Sequence, residues 1–337
     1  MKMSNIIADV VVDVQHGDCG KGKITHHLAK TGDYTHVVRY NGGHNAGHTI
    51  YHEGKKYVTH VIPCGVFFGI ESIIGPGCVV NPERLLSEMK ELRDAGIDID
   101  NLLSIAKNAH VITDWHLAED NKDKAIGTTK RGNGPAYRDK YGRKGVRAEQ
   151  VPELQEYLID VYQEFHCNNE PVIKILFEGA QGFGLDVDWG DYPYVTSSHC
   201  TVGGAVLNGI PAQSVRNVYG AAKIYETYVG AKDFGMEEGI VAKAIRDVGE
   251  EYGATTGRPR KVDWFDLDAV SKAVDINGLT TLVINKVDVL EKVRHFMLYH
   301  GDNKFDFDSM EDMQYYITEH LKKDNLEIVF SGHKDRI

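Results

Sequence analysis

Near the N-terminus the run Ile6–Val14 is apolar and rich in β-branched side chains, and glycine-rich sequence follows at once as Gly17-Asp18-Cys19-Gly20-Lys21-Gly22-Lys23. So short a run reads as a buried strand of an α/β sheet. Ile24–Ala29 then reads as the first turns of a helix. Gly17-x-x-x-x-Gly22-Lys23 keeps the spacing of a Walker-type phosphate loop, although Ile24 stands where a Ser or Thr would hold magnesium. The physics of such a loop survives that change. Glycines after a buried strand let successive backbone N–H groups turn inward, and the helix N-terminus adds partial positive charge for a phosphate. The alternative is a plain glycine-rich turn from strand to helix. Asp18 speaks for chemistry, because a carboxylate beside phosphate is repulsive unless a metal or a proton transfer gives it a task.

The rest of the chain alternates in the same way. His36–Tyr40 reads as a second strand, followed by the loop Asn41–His48, and Thr49–Val61 reads as a hairpin turning at Glu53-Gly54. Pro82 opens a helix to about Ala95, with Leu85, Leu86, Met89 and Leu92 on one face. Lys124–Arg147 is dense in Gly, Lys and Arg and reads as a long functional loop, and helical periodicity returns over Val151–Phe165. Val172–Phe177 is a buried strand, Val215–Tyr228 is strand-like, and Asp266–Val274 is helical. A strand at Thr281–Ile284, a helix at Met310–Leu321 and a strand at Leu326–Phe330 complete the outline. The expectation is an α/β fold with a mostly parallel central sheet, helices on both faces, elaborated loops and a core like that of P-loop NTPases. With no repeat, linker or low-complexity tract, residues 1–337 are expected to form one domain.

Composition narrows the function. With 38 Lys and Arg against 49 Asp and Glu the formal charge is −11, which argues against a protein that coats nucleic acid. Small phosphorylated ligands remain open, since they need only a local pocket of N–H groups and a few cations. No apolar stretch is long enough for a membrane span and no signal-peptide pattern develops, so the expectation is a cytoplasmic protein without a membrane partner. Five cysteines, an odd number without a CxxC pair, read as reduced thiols. Cys19, near a helix N-terminus, is placed where a thiol pKa is lowered.

Asn285-Lys286-Val287-Asp288 follows the apolar run Thr281–Ile284 and has the form of a guanine-selecting loop. A carboxylate there accepts both N1–H and the 2-amino group of guanine, which adenine does not offer. His44 and His48 are four apart, but Gly42, Gly43 and Gly47 make a helix unsuited to the segment, so a proton donor or electrophile fits better than a metal ligand. Gly253-Ala254-Thr255-Thr256-Gly257-Arg258-Pro259-Arg260-Lys261 packs two hydroxyls and three cations into a loop suited to a dicarboxylate or phosphate, and Gly127-Thr128-Thr129-Lys130-Arg131-Gly132 repeats that chemistry. A solvated basic loop is the bland alternative for each.

Together these segments resemble the adenylosuccinate synthetase family, ligases that join L-aspartate to carbon 6 of a purine nucleotide. The carriers are Gly17–Lys23, Asn41–Thr49, His60–Pro63, Ile126–Lys140, Phe177–Gly182, Tyr192–Ser198, Gly253–Arg260 and Asn285–Asp288. The resemblance implies two steps. Asp18 takes the N1 proton of a 6-oxopurine while His48 polarises or donates to the triphosphate, and the 6-oxygen attacks the γ-phosphate. The amino group of aspartate then displaces the 6-phosphoryl group. Lys21 would stabilise the transferring phosphoryl and Gln181 completes the catalytic set; Mg2+ would sit between Asp18, the carbonyl of Gly47 and phosphate oxygens. For the triphosphate the resemblance implies Gly17, Gly20, Gly22, Lys23, Thr49, Lys286, Asp288 and Gly332, with GTP as donor and ATP as the alternative. The monophosphate would be held by Asn45, Thr128, Thr129, Thr196, Val229 and Arg143, the last from a second subunit of a homodimer. Aspartate would be held by Arg131, Thr255, Thr256, Arg258 and Arg260.

Several positions depart from the family pattern. Cys19 replaces a Glu, His16 a Trp, and Lys130 a Gly; Tyr228–Phe234 alters the loop near the ribose, Phe330–His333 weakens the last nucleotide loop, and the chain is short. Ordinary members act on IMP, whereas a viral branch acts on dGMP in making 2-aminoadenine. The retained Asp18 speaks for IMP; the altered ribose-side loop and the shortened chain tilt the expectation slightly to dGMP, in a host cytoplasm. A GTP-binding protein that has lost catalysis is the alternative of a different class, and retention of Asp18, Lys21, His48 and Gln181 together argues against it.

Overall fold

The structure, a computed structural model, describes residues 5–168, 170–236, 239–253, 257–332 and 337. Nine strands build one sheet in which every neighbouring pair is parallel. Across the sheet they run Glu327–Ser331, Thr281–Asn285, Val215–Lys223, Asn5–Asp13, Val172–Glu178, His36–Arg39, Glu71–Ile74, Leu103–Ala106 and Leu158–Ile159. The run Ile6–Val14 thus becomes the central strand. Its residues from Ala8 to Asp13 are buried without alternation, as they must be when both faces of a parallel sheet are covered. The chain winds outward on one side of this strand, returns beside it at Val172, and continues on its other side from Val215, so the order reverses there. Ligands of open α/β sheets bind in the crevice outside the carboxyl ends at such a reversal.

Those carboxyl ends are polar. Asp13, Arg39, Glu178, Lys223, Asn285 and Ser331 each close a strand on the same edge of the sheet. Parallel register sets several side by side: Glu178 pairs with Val11 and Arg39, and Asn285 with Lys223 and Ser331. The helix Lys21–Thr31 leaves this edge directly after the glycine-rich loop, with Ile24 and Ala29 buried against the sheet.

The helix after Pro82 forms as expected, over Pro82–Asp94, with Pro82 in the first turn and the Asn81 side chain accepting from Arg84 N–H. The hairpin forms as His48–His52 and Lys55–Thr59. Three expectations need correction. Lys124–Arg147 is not one long loop, since Asn133–Tyr141 is a helix. Only Ala136 and Tyr137 anchor it, against Val79 and Ile112, too few apolar residues to show a period in sequence. Val151–Phe165 is not one helix. Pro152 opens a 3-10 turn to Tyr157, Leu158–Ile159 is the edge strand, and Asp160 caps a short helix, Val161–His166, by accepting from Tyr162 and Gln163 N–H. Val215–Tyr228 divides at Ile224 between two sheets. Tyr225–Tyr228 joins Lys261–Asp266, Phe296–His300 and Asn303–Phe307 in a second, four-stranded sheet. Among the described residues no helix is long and apolar enough to cross a membrane.

Candidate active site

The loop after the central strand is organised by the residue that ends that strand. Asp13 Oδ1 accepts from the N–H of Gln15 (3.0 Å) and Gly17 (3.2 Å), and Oδ2 from the N–H of Cys19 (3.0 Å) and from Lys21 Nζ (3.0 Å). Lys21 also donates to the carbonyl of Gln181. Three loop residues take left-handed backbone, Gly17 (φ 89°), Asp18 (φ 58°) and Gly20 (φ 99°). Gly20 is required for a second reason: a Cβ there would stand 3.0 Å from Asn285 Nδ2, which donates to the carbonyl of Cys19 (2.8 Å). The loop that carries Lys286 and Asp288 is thereby docked onto the phosphate loop. Lys286 (φ 66°) donates to the Gly249 carbonyl, Asp288 pairs with Lys292 at 2.7 Å, and a Cβ at Gly332 would meet Asp288 Cβ at 3.1 Å. Lys23 donates to Ser331 Oγ (3.0 Å), and a Cβ on Gly22 would lie 3.3 Å from His48 Cβ and from the Thr49 carbonyl.

His48 sits in a buried ionic cluster. Its Nδ1 is 2.5 Å from Glu178 Oε1, and Arg39 lies 3.1 Å from both Glu178 and the His48 ring. Cys64 N–H donates to Glu178 Oε2 (2.9 Å) and Arg39 to the His60 carbonyl (2.9 Å). Burial, followed by the Arg39 charge, pulls the His48 pKa down to about 4 against the pull of Glu178. Burial works to raise Glu178, but Arg39, His48 and the Cys64 N–H outweigh it and hold it at about 2. An ionised Glu178 accepts from Nδ1–H, and Arg39 Nη1 stands 3.2 Å from Nε2.

Gln181 (φ 58°) donates through Nε2 to Asn45 Oδ1 (3.1 Å), which also accepts from Asn133 Nδ2 (2.9 Å). Gln181 Oε1 and Asn133 Oδ1 are buried without a hydrogen-bond partner among the described residues, capacity that suits a polar ligand. Asp18 is 45 % exposed on its side chain and pairs with Arg260 at 2.7 Å. Arg260 in turn pairs with buried Glu251 (2.6 Å), which also takes Lys223 Nζ (2.8 Å) and Tyr225 OH (2.7 Å). Desolvation opposes ionisation of Asp18, but Arg260, Lys223 and Lys21 outweigh it and hold its pKa below the usual range. The same contest, won by Lys223, Arg260 and Lys286, holds Glu251 at about 2.

The structure therefore brings Asp18, Lys21, Gln181, Asn45, His48, Gly47, Thr49 and Arg260 to one edge. Thr128 sits further along, its hydroxyl donating to Asp120 (2.8 Å), which also fixes Gly132 N–H; Lys130 (φ 57°) donates to the carbonyls of Asp120 and Asp123, while Thr129 is exposed and Arg131 half-buried. Thr196 N–H donates to the Leu185 carbonyl, Val229 is exposed, and Arg143 is exposed just past the helix Asn133–Tyr141. Arg258 borders the loop whose Thr255 and Thr256 lie outside the described residues. Asp13, Arg39, Glu178, Lys223 and Glu251 escaped the reading of the sequence. Four of them, Asp13, Arg39, Glu178 and Lys223, close a buried strand with a charge, which marks their position in the sequence but not the partners that give each its role.

Two departures acquire physical form. The Cys19 thiol is not lowered, contrary to expectation. It is buried, donates to Gln15 Oε1 (3.1 Å) and the Gly17 carbonyl (3.2 Å), and burial beside Asp13 pushes it up. His16 is held between Asp191 (2.8 Å) and Glu226 (2.9 Å) with Tyr228 and Phe234 against its ring; burial opposes its charge, but the two carboxylates win and raise it to about 9.

A glycine-rich loop at the reversal of a parallel sheet, docked to the loop of Lys286 and Asp288 and faced by an acid, an imidazole and an arginine, is the arrangement of an α/β protein. The family model "Adenylosuccinate synthetase" matches residues 10–153 and 148–314. The adenylosuccinate synthetases of Xanthomonas euvesicatoria pv. vesicatoria and Halothermothrix orenii are each 40 % identical, over 87 % of this chain and 81 % and 80 % of their own. The fully ligated Plasmodium falciparum adenylosuccinate synthetase superposes with a TM-score of 0.86 at 27 % identity, over 98 % of both chains. A cyanophage S-2L succinoaminodeoxyadenylate synthetase, solved with dGMP and with dATP as an energy donor, shares the fold at TM-score 0.68 and 23 % identity, over 94 % of this chain and 99 % of its own. This chain belongs to the adenylosuccinate synthetase family and is a C–N bond-forming ligase.

Proposed function

We propose that the chain joins L-aspartate to carbon 6 of IMP, using GTP as phosphoryl donor and working as a homodimer. The observation that carries the mechanism is the 2.7 Å pair between Asp18 and Arg260, which sets a base for the purine N1 proton beside a cation for the amino acid. Asp18 is ionised throughout the neutral range and takes the N1 proton, so the 6-oxygen attacks the γ-phosphate as its bond to the β-phosphate oxygen breaks and GDP leaves. Lys21 answers the charge on the transferring phosphoryl. His48 is neutral before the triphosphate arrives. Phosphate charge beside the ring favours its protonated form and draws on Arg39 as well, and Glu178 holds the ring for that change. The aspartate amino group then displaces the 6-phosphoryl group, with Arg260, Arg258, Arg131, Thr255 and Thr256 proposed for its carboxylates and Asn45, Gln181, Thr128, Thr129, Thr196, Val229 and a second copy's Arg143 for the acceptor.

Asp18 and the Gly47 carbonyl are hard oxygen donors, and the Asp18 side chain keeps a solvent-facing side. That set fits Mg2+, which favours few protein oxygens plus water and phosphate, and bound there it would neutralise phosphate charge.

IMP is favoured over dGMP because the relatives at 40 % identity are adenylosuccinate synthetases and Asp18 is kept. One feature favours dGMP: the ribose-side loop is rebuilt, with Tyr228 and Phe234 packed on His16 and Lys232 tied to Asp191. Phosphate release with GTP, Mg2+ and L-aspartate, run with IMP, GMP and dGMP and repeated with ATP, decides. Turnover with IMP alone is expected; turnover with dGMP alone would replace that acceptor, and silence with all would leave a nucleotide binder.

A further inference from the structure

Walker-type loops aim their amides at the ligand phosphate. Here a carboxylate of the chain itself takes three of them. Asp13, 1 % exposed, receives the N–H groups of Gln15, Gly17 and Cys19 together with Lys21 Nζ, all at 3.0–3.2 Å. Burying a carboxylate is costly unless it is paired and hydrogen-bonded, and four donors meet that demand. Two consequences follow. The left-handed backbone at Gly17 and Asp18 is held before any ligand binds, since the residues on either side of Asp18 are both tied to Asp13. Lys21, 4 % exposed, has two of its three donors fixed, one on Asp13 and one on the Gln181 carbonyl. The third is left for a phosphoryl oxygen.

We propose that Asp13 is a positioning residue for phosphoryl transfer: it aims Lys21 at the transferring group and fixes the loop that presents Asp18. The inference rests on the ligase reading above. It does not make Asp13 a group that touches substrate.

The test is a double-mutant cycle of Asp13→Asn, Lys21→Met and the pair, with kcat and the KM for GTP measured on the full chain. Lys21→Met is expected to lower kcat by about 10²–10³-fold, in the range for loss of one preorganised charge or donor. Asp13→Asn is expected to lower kcat by about 10²-fold with the KM for GTP within about threefold, because the lost aim is felt in the transition state. Combined, the two should cost no more than about threefold beyond Lys21→Met alone, the non-additivity of residues that act as one unit. Losses that multiply, or an Asp13→Asn enzyme with unchanged kcat, overturn the inference. Asp13→Ser, which leaves room for water on the amides, is measured beside it. If both variants lose their folded circular-dichroism spectrum, Asp13 is an anchor of the fold and the proposal fails. A wild type that turns over none of the acceptors sinks the ligase reading instead; the same four proteins are then compared for a fluorescent GTP analogue, where Asp13→Asn must add nothing to the loss from Lys21→Met.

Discussion

Glu178 shows how one side chain carries both fold and chemistry. It closes a buried strand, faces Arg39 at 3.1 Å and holds His48 by Nδ1. Replacing it by Gln removes the charge while keeping the shape, which leaves Arg39 buried without its counter-ion. A loss of about 3–5 kcal/mol is expected by chemical denaturation, the usual result of removing one partner of a buried pair, and kcat should fall as His48 loses its orienting acceptor. Asp18→Asn is the complementary case. Exposed and outside the core, it should leave the melting temperature nearly unchanged and lower kcat by about 10²–10⁴-fold, as for loss of a general base, while GTP still binds. Asp18 and Arg260 were legible in the sequence through the chemistry of their own loops, whereas Lys21 and Gln181 were legible only through the resemblance to the family. Arg39, Glu178 and Glu251 were not, since each acquires its role from partners brought to it by the fold.

At the scale of elements, recognition depends on how loops dock. The loop proposed to select the base touches the glycine-rich loop through Asn285 Nδ2 and the Cys19 carbonyl, at the place where Gly20 has no side chain. Gly20→Ala meets both a left-handed backbone and a 3.0 Å contact. The two loops are then pushed apart, and the KM for GTP should rise at least tenfold with a smaller change in the KM for L-aspartate, read in one steady-state series. Strands of the sheet were legible because a run buried on both faces has a continuous apolar signature. Short elements were harder: the helix Asn133–Tyr141 rests on two buried apolar residues, and Leu158–Ile159 is a strand only because Leu103–Ala106 lies alongside it.

For the molecule as a whole, pH tests how burial has been distributed. His44, His26 and His110 are lowered to about 3, 4 and 4, in each case by burial first and nearby positive groups second. Their unfolded value is near 6.5, so between pH 6.5 and 4 the unfolded chain binds more protons than the folded one. The contribution of these three is therefore whole above pH 6.5 and drains as the pH falls toward 4, whereas that of His16, raised to about 9, is whole below pH 6.5 and lost as the pH rises through 9. Thermal melts from pH 6.5 to 4.5 should show the decline. His44→Leu, which also removes two ring nitrogens that lack hydrogen-bond partners among the described residues, Nε2 standing 3.8 Å from Glu88, should recover roughly 2 kcal/mol at pH 5, the linkage cost of one such histidine, and little at pH 8. The central strand Asn5–Asp13 pairs with strands that begin only at Val172 and Val215, and Lys23 donates to Ser331. A ribosome must release more than 300 residues beyond that strand before the site can close, so binding of GTP during synthesis would report that the strand Glu327–Ser331 has emerged.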